Sequence, residues 1–296
     1  MAEPTTAPPH LSDLQRPSGA FAMLAVDQRE ALRGMFAEHT RGPVSDQDVT
    51  DFKIAAARIL SPHASAVLID RQFGWEPIVQ AGVVDERCAL IAAADHFESA
   101  HGELVGNVTI DYQVDPVRVR DQGARAMKLL VIYRPDTEPR ERIAMVEEFI
   151  GRCHDAGLLS IIEPLSRAPV SGSTWDWDAG VLAAARELGS LGADLYKGEV
   201  PLHGQGAPEE IRRRCAEITA AVDSPWVVLS SGVPEDAFPT AVRLACTEGA
   251  SGFLAGRAVW ASSIATPDVE ADLRTAAVAR LQHLGEIVDD VVGEAA

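Results

Sequence analysis

The run Ala193-Asp194-Leu195-Tyr196-Lys197-Gly198-Glu199-Val200 has the composition of a buried strand with a lysine at its centre. A lysine is almost never fully buried without a partner. Burial also favours its neutral form, which makes the amine nucleophilic near neutral pH. The bland reading is a lysine at a strand end whose head reaches back to solvent. The sharper one is a nucleophile for a carbonyl substrate.

Seven further runs share this character, so that the eight cover 21–27, 64–70, 89–95, 127–133, 158–165, 193–200, 226–232 and 252–257. They are rich in Val, Ile, Leu and Ala with little polar alternation, as in parallel strands covered on both faces. Gly157, Gly192 and Gly249 precede three of them and suit the C-terminal caps of preceding helices. Helical periodicity is expected over 47–60, 138–156, 177–190, 208–222 and 235–248, with one long amphipathic helix over 267–292. Alternating β and α units of this number predict a (β/α)8 TIM barrel. The rival is an open doubly wound sheet, but Asp27-Gln28-Arg29-Glu30 stands where a Gly-rich phosphate turn would follow the first strand. Residues 1–17 are expected as a flexible tail and 18–296 as a single barrel domain.

The bulk properties narrow the partners. The chain has 296 residues and a formal charge of −18, which argues against a nucleic-acid or acidic-membrane partner. Cys88, Cys153, Cys215 and Cys246 form no C-x-x-C pair and read as reduced core residues of a cytoplasmic protein. The opening ten residues lack the apolar core of a signal peptide, and no apolar run approaches the ~20 residues of a membrane span.

In a barrel, chemistry gathers at the C-terminal ends of the strands. Alternation places Glu163 on one face with Leu159 and Ile161, Lys128 with Leu130 and Ile132, and Asp27 with Met23 and Ala25. If Lys197 faces inward, these four converge. Two neighbouring lysines cannot both hold protons comfortably, so one is freed to attack while the carboxylates move protons. Each has an ordinary alternative: Lys128 and Glu163 a structural ion pair, Asp27 a helix N-cap. Asp70 and Asp95 fit the cap reading, and Glu199 a supporting role. Ser231-Gly232 and Gly256-Arg257, at the ends of consecutive strands, offer backbone N–H groups, a hydroxyl and a guanidinium for a phosphate. Gln28, Arg29 and Arg71, with Lys53 as a weaker candidate, are expected on the far side of the mouth, holding a second anion. His96, His101 and His203 could approach one another, but no metal motif is present and no metal or cofactor is expected. Trp175 to Asp178 is expected to pack outside the barrel.

The segment from Gly19 through Asp27-Gln28-Arg29-Glu30-Ala31 resembles the opening of the sulfofructosephosphate aldolases, relatives of the tagatose-1,6-bisphosphate aldolases. Asp51-Phe52-Lys53, Ser160-Ile161-Ile162-Glu163-Pro164, Ala193 to Lys197, Leu229 to Val233 and Gly249 to Trp260 are similar to that family too. The likeness spans about residues 18–292. It implies a metal-free class I aldolase on a (β/α)8 barrel. Lys197 matches the Schiff-base lysine, Asp27, Lys128 and Glu163 the polar groups around it, and Ser231, Gly232, Gly256 and Arg257 the phosphate site. Gly198 departs from the apolar residue usual after the lysine, and Arg71 is also atypical. The implied reaction cleaves 6-deoxy-6-sulfofructose 1-phosphate to dihydroxyacetone phosphate and 3-sulfolactaldehyde. The alternatives are a tagatose or fructose 1,6-bisphosphate aldolase with the same lysine chemistry, a metal-dependent aldolase, and a non-catalytic phosphosugar-binding barrel. By analogy a homo-oligomer, dimer or tetramer, is expected.

Overall fold

The computed structural model describes residues 9–294. Eight parallel strands close into a barrel: β1 (Phe21–Ala25), β2 (Ala66–Asp70), β3 (Ala89–Ala93), β6 (Ala124–Tyr133), β7 (Leu159–Ser166), β8 (Leu195–Gly198), β9 (Trp226–Val228) and β10 (Gly252–Ala255). The two missing numbers belong to a hairpin, β4 (Asp95–Ala100) and β5 (Glu103–Ile110). The order round the barrel is β1-β10-β9-β8-β7-β6-β3-β2. Each expected run contributes one barrel strand, and the helices Asp46–Leu60, Pro139–Asp155, Trp177–Leu188, Pro208–Thr219 and Phe238–Thr247 fall where their periodicity placed them. The terminal helix runs from Val269 to Gly293 with a π-helical turn at Leu273–Ala277.

The apolar side chains divide as strand alternation requires. Phe21, Met23, Ala25, Leu68, Ile91, Leu159, Ile161, Leu195, Val227 and Leu254 fill the barrel interior. A larger set, including Leu24, Val67, Leu129, Ile162, Tyr196 and Trp226, packs outward against the helices. Order begins earlier than the expected tail boundary. Leu11–Leu14 forms a 3₁₀ turn, fully buried Leu14 joins the interior cluster, and Arg16 pairs with Asp289 of the last helix at 2.7 Å. The rest of that tail, residues 1–8, lies outside the described residues.

The hairpin was not foreseen from the sequence. Its two-residue turn, His101 (φ 55°) and Gly102 (φ 77°), has the left-handed backbone of the turns that suit the twist of paired strands. Its alternating burial contrasts with the continuous burial of the barrel strands, because only one of its faces is covered. All four cysteines are free and buried, and burial pushes the thiols of Cys88, Cys215 and Cys246 up to about 12.

Candidate active site

Adjacent strands bring the charged residues together inside the barrel, with Lys128 in register with Ile161, two positions before Glu163. Ala93 stands beside Lys128, Leu130 beside Glu163, and Lys197 beside Val227. Lys128, with no exposed surface, places Nζ 2.8 Å from Asp27 Oδ2, 2.7 Å from Asp95 Oδ2 and 3.0 Å from Glu163 Oε2. The last is an ion contact without hydrogen-bond alignment. Lys197, 3% exposed, places Nζ 2.9 Å from Glu163 Oε1. Glu163 therefore bridges the two amines. The four expected residues Asp27, Lys128, Glu163 and Lys197 meet.

Gly198 is explained by its neighbours. A Cβ there would come within 3.2 Å of the Tyr196 ring and 3.4 Å of the Trp226 ring, so the tryptophan occupies the space an apolar side chain would need.

Burial works against the charge on Lys128, yet Asp27, Asp95 and Glu163 outweigh it and hold the ammonium well above its ordinary pKa. Asp27 is the mirror case: burial would raise it, but Lys128, then Lys197 and Lys53, hold it below the usual carboxylate range. Glu199 has no such support. Burial pushes it up to about 7, although Oε2 accepts the Ser166 N–H at 2.7 Å and Arg167 lies nearby.

Asp95 departs from the expected helix cap. It caps no helix. Its carboxylate contacts Lys128, accepts from Arg29 Nη2 at 2.6 Å and accepts the Leu130 N–H at 3.2 Å. Alternation with Ile91 and Ala93 on β3 was the signal that could have found it. Asp27 is likewise no cap, since Arg29 occupies the N-cap position of the following helix. Asp70 does accept the Phe73 N–H, at 2.8 Å, and also pairs with Lys53.

The second-anion candidates divide. Arg71 turns away from the mouth: its Nε pairs with Asp111 at 2.8 Å, and it lines a separate hollow with Trp75, Glu76 and Arg118. Lys53 is wholly buried, donating to the carbonyls of Val26 and Gln28 and pairing with Asp70 at 2.5 Å, so no anion reaches it. Gln28 and Arg29 line the mouth. They do not begin on the far side from Ser231 and Arg257, because closure pairs β1 with β10. The Arg29 guanidinium crosses to the β3 side, where Asp95 engages it and the Phe97 ring lies 4.2 Å away.

The mouth holds a cavity of about 430 Å³. Asp27 and Glu163 reach it from the barrel, Ser231 and Arg257 from the ends of β9 and β10, and Phe97, Glu103 and Leu104 from the hairpin, which forms a wall. Arg257 Nη2 donates to Ser231 Oγ at 2.5 Å, and Ser230 Oγ lies 3.5 Å from the Ala258 N–H. Gly232 has φ 78°, and a Cβ there would stand 2.5 Å from His203 Nδ1, so glycine lets the His203 ring close against this loop. Gly256 precedes the short helix Arg257–Trp260. The imidazole of His203 stacks on Trp177 at 3.8 Å. Among the described residues, no group of three or more His, Cys, Asp and Glu side chains is arranged to hold a metal ion, and no helix is long and apolar enough to cross a membrane.

A buried amine, a carboxylate in contact with it and an adjoining cavity lined by Ser231 and Arg257 are parts that a carbonyl-bonding enzyme needs. The family model described as DeoC/LacD family aldolase matches residues 21–262. The chain belongs to the DeoC/LacD aldolases. Membership makes it a carbon–carbon lyase. Among its relatives, the tagatose 1,6-diphosphate aldolase of Listeria monocytogenes is 27% identical over 314 residues, covering 95% of this chain and 90% of that protein. The tagatose 1,6-diphosphate aldolase 2 of Enterococcus faecalis is 26% identical, covering 93% and 91%. The fold resembles the fructose-bisphosphate aldolase of Plasmodium falciparum, with TM-score 0.71 at 12% identity over 94% of this chain and 92% of that one. It also resembles an archaeal fructose-1,6-bisphosphate aldolase whose catalytic lysine is bound to a carbinolamine intermediate, with TM-score 0.64 at 16% identity over 93% and 96%.

Proposed function

We propose that this DeoC/LacD aldolase cleaves 6-deoxy-6-sulfofructose 1-phosphate to dihydroxyacetone phosphate and 3-sulfolactaldehyde through a Schiff base on Lys197. The observation that carries the chemistry is the 2.9 Å contact between Lys197 Nζ and Glu163 Oε1 inside the barrel. Lys128, with three carboxylate neighbours, keeps its charge and orients substrate oxygens and carboxylates. Lys197 has one such neighbour, and its nitrogen is the one to spare for bonding.

Lys197 adds to the C2 ketone, and loss of water from the carbinolamine gives an iminium. Glu163 takes the C4 hydroxyl proton. The C3–C4 bond breaks, its electron pair moves into the iminium, and the aldehyde leaves. The resulting enamine is protonated at C3, and hydrolysis returns dihydroxyacetone phosphate and the free amine. Asp27, Asp95 and Lys128 set the field in which these protons move. Glu163→Gln is expected to lower kcat by roughly 10²–10⁴-fold with KM little changed, read from steady-state kinetics.

Ser231, Gly232, Gly256 and Arg257 take the C1 phosphate. Arg257→Ala is expected to raise KM about 10- to 100-fold while kcat changes far less, because a charged hydrogen bond made equally in ground and transition states is lost.

The sulfonate assignment draws on the opening segment around Asp27-Gln28-Arg29 and on the charge available there. Arg29 is already balanced by Asp95, and Gln28, which also lines the cavity, offers only a neutral amide. So little free positive charge suits a monoanion better than a phosphate dianion. The names of the relatives favour the second reading, a tagatose or fructose 1,6-bisphosphate aldolase with the same lysine chemistry. Measuring kcat/KM for both sugars separates them: the sulfonate is expected to win, and a higher value for a bisphosphate transfers the assignment. Borohydride reduction with substrate, followed by peptide mass mapping, tests the shared chemistry.

A further inference from the structure

The cations of the mouth differ in how well they are neutralised. Lys128 touches three carboxylates, Lys197 touches Glu163, and Arg29 touches Asp95 at 2.6 Å. Arg257 and Arg167 stand apart, though both line the same cavity with Glu163 and Ser231. Arg257 is hydrogen-bonded to the Ser231 hydroxyl, and among the described residues no carboxylate oxygen lies within 4.0 Å of its nitrogens. Arg167, one residue beyond the end of β7, lies 3.8 Å from Glu103 Oε2 and 3.9 Å from Glu199 Oε1, beyond hydrogen-bond reach of both.

Those two carboxylates are also engaged elsewhere. Glu103 Oε2 accepts from Arg134 Nη2 at 2.8 Å, and Glu199 Oε2 accepts the Ser166 N–H at 2.7 Å. Arg167 itself donates to the Ser166 carbonyl at 3.0 Å, which fixes its stem without cancelling its charge. Its side chain keeps 28% of its surface exposed. Burial lowers the pKa of Arg257 against the opposing pull of Glu163 and Asp27, and the charge of Arg167 adds a smaller lowering, so the two guanidiniums feel each other across the cavity. Two like charges left under-compensated around one cavity form a site for an anion. A sugar phosphate carries about −1.5 to −2 charges near pH 7, more than one guanidinium can balance.

We propose that Arg167 is a phosphate ligand of this aldolase, joining Arg257 on the phosphate of the dihydroxyacetone phosphate half of the substrate. The assignment rests on the lysine aldolase reading above. Arg167 donates N–H groups to the phosphate oxygens, Glu199 and Glu103 hold the empty guanidinium near its bound position, and Arg134 keeps Glu103 from competing with the phosphate. The hairpin, through Glu103, thereby contributes to the substrate site.

The test uses dihydroxyacetone phosphate alone, which carries this phosphate and no second anion. Borohydride trapping at Lys197 is followed by intact mass as its concentration varies, in the wild type, Arg167→Gln, Arg167→Lys, Arg257→Ala and the Arg167→Gln/Arg257→Ala double variant. Arg167→Gln is expected to raise the half-saturating concentration about 10- to 100-fold, and Arg167→Lys to raise it less. The double variant is expected to lose less than the product of the single losses, since both groups act on one phosphate. Trapping with unphosphorylated dihydroxyacetone and the melting temperature are expected to stay at wild-type values. Wild-type trapping of dihydroxyacetone phosphate by Arg167→Gln, with a raised KM only for the full sugar, would place this guanidinium at the other end of the substrate and overturn the proposal. Equal losses with dihydroxyacetone, or a lowered melting temperature in both Arg167 variants, overturn it in favour of a structural role. No trapping in the wild type refutes the Schiff-base reading, and this inference with it.

Discussion

Lys197→Ala is expected to lower kcat by at least about 10⁴-fold and to abolish every borohydride-trapped adduct, because no other amine can take its place. A factor of that size corresponds to roughly 5.5 kcal/mol of lost transition-state stabilisation. Lys128 is the nearest substitute, but its three carboxylates hold its proton. The variant is expected to fold normally. Glu163 loses the Lys197 contact yet remains 3.0 Å from Lys128, so no carboxylate is orphaned, and the truncated side chain leaves only a small space beside Val227. Steady-state kinetics and intact-mass spectra check the result together. Full turnover in this variant, or an adduct on another residue, would remove Lys197 from the mechanism.

Lys128→Met separates stability from chemistry. Methionine roughly preserves the volume while removing the charge that three buried carboxylates share. Asp95 keeps Arg29 at 2.6 Å and Glu163 keeps Lys197 at 2.9 Å, but Asp27 has no other ion pair among the described residues. Breaking a buried ionic cluster from one side costs about 3–5 kcal/mol. For a chain of this size that is a fall in Tm of roughly 5–15 °C. The deficit has a sign in pH. An unpaired buried carboxylate binds its proton more tightly in the folded chain than in the unfolded one. The folded variant therefore binds more protons at pH values above the ordinary carboxylate range, and its stability falls as pH rises there. The wild type behaves oppositely at Asp27, whose lowered pKa contributes stability that is present above the ordinary carboxylate pKa and lost in acid. Thermal melts of both proteins from about pH 4 to 8, the span over which carboxylates ionise, test this. An equal Tm difference at every pH would mean that Lys128 contributes packing alone. Turnover is expected to fall about 10²-fold or more, since Glu163 loses one of the two charges that orient it.

The eight strands were legible because each is short, aliphatic and covered on both faces, and because glycines stop several of the helices between them. The hairpin from Asp95 to Ile110 was not, since its alternating pattern and two-residue turn are brief and lie between two stronger signals. Alternation along β6, β7 and β8 was enough to aim Lys128, Glu163 and Lys197 at one another. The same rule applied to β3 would have included Asp95, but an aspartate at a strand end reads equally well as a cap. Arg71 and Lys53 show the opposite failure. Each is a cation near a strand end or its covering helix, and each is neutralised by an aspartate 17 to 40 positions away in the sequence.

The order of aliphatic runs, glycines and amphipathic stretches thus determined the barrel, because the burial of β-strands and the period of helices are local properties of the chain. It also determined that a lysine must lie among carboxylates, because an ammonium in a strand needs a counter-charge wherever that strand is buried. Which cations are left for a substrate was decided only by the closed barrel. Pairing between charges depends on distances across strands that the sequence does not encode locally. Closure sets β1 beside β10, ties Arg29 to Asp95 and Arg71 to Asp111, and leaves Arg167 and Arg257 facing the same cavity.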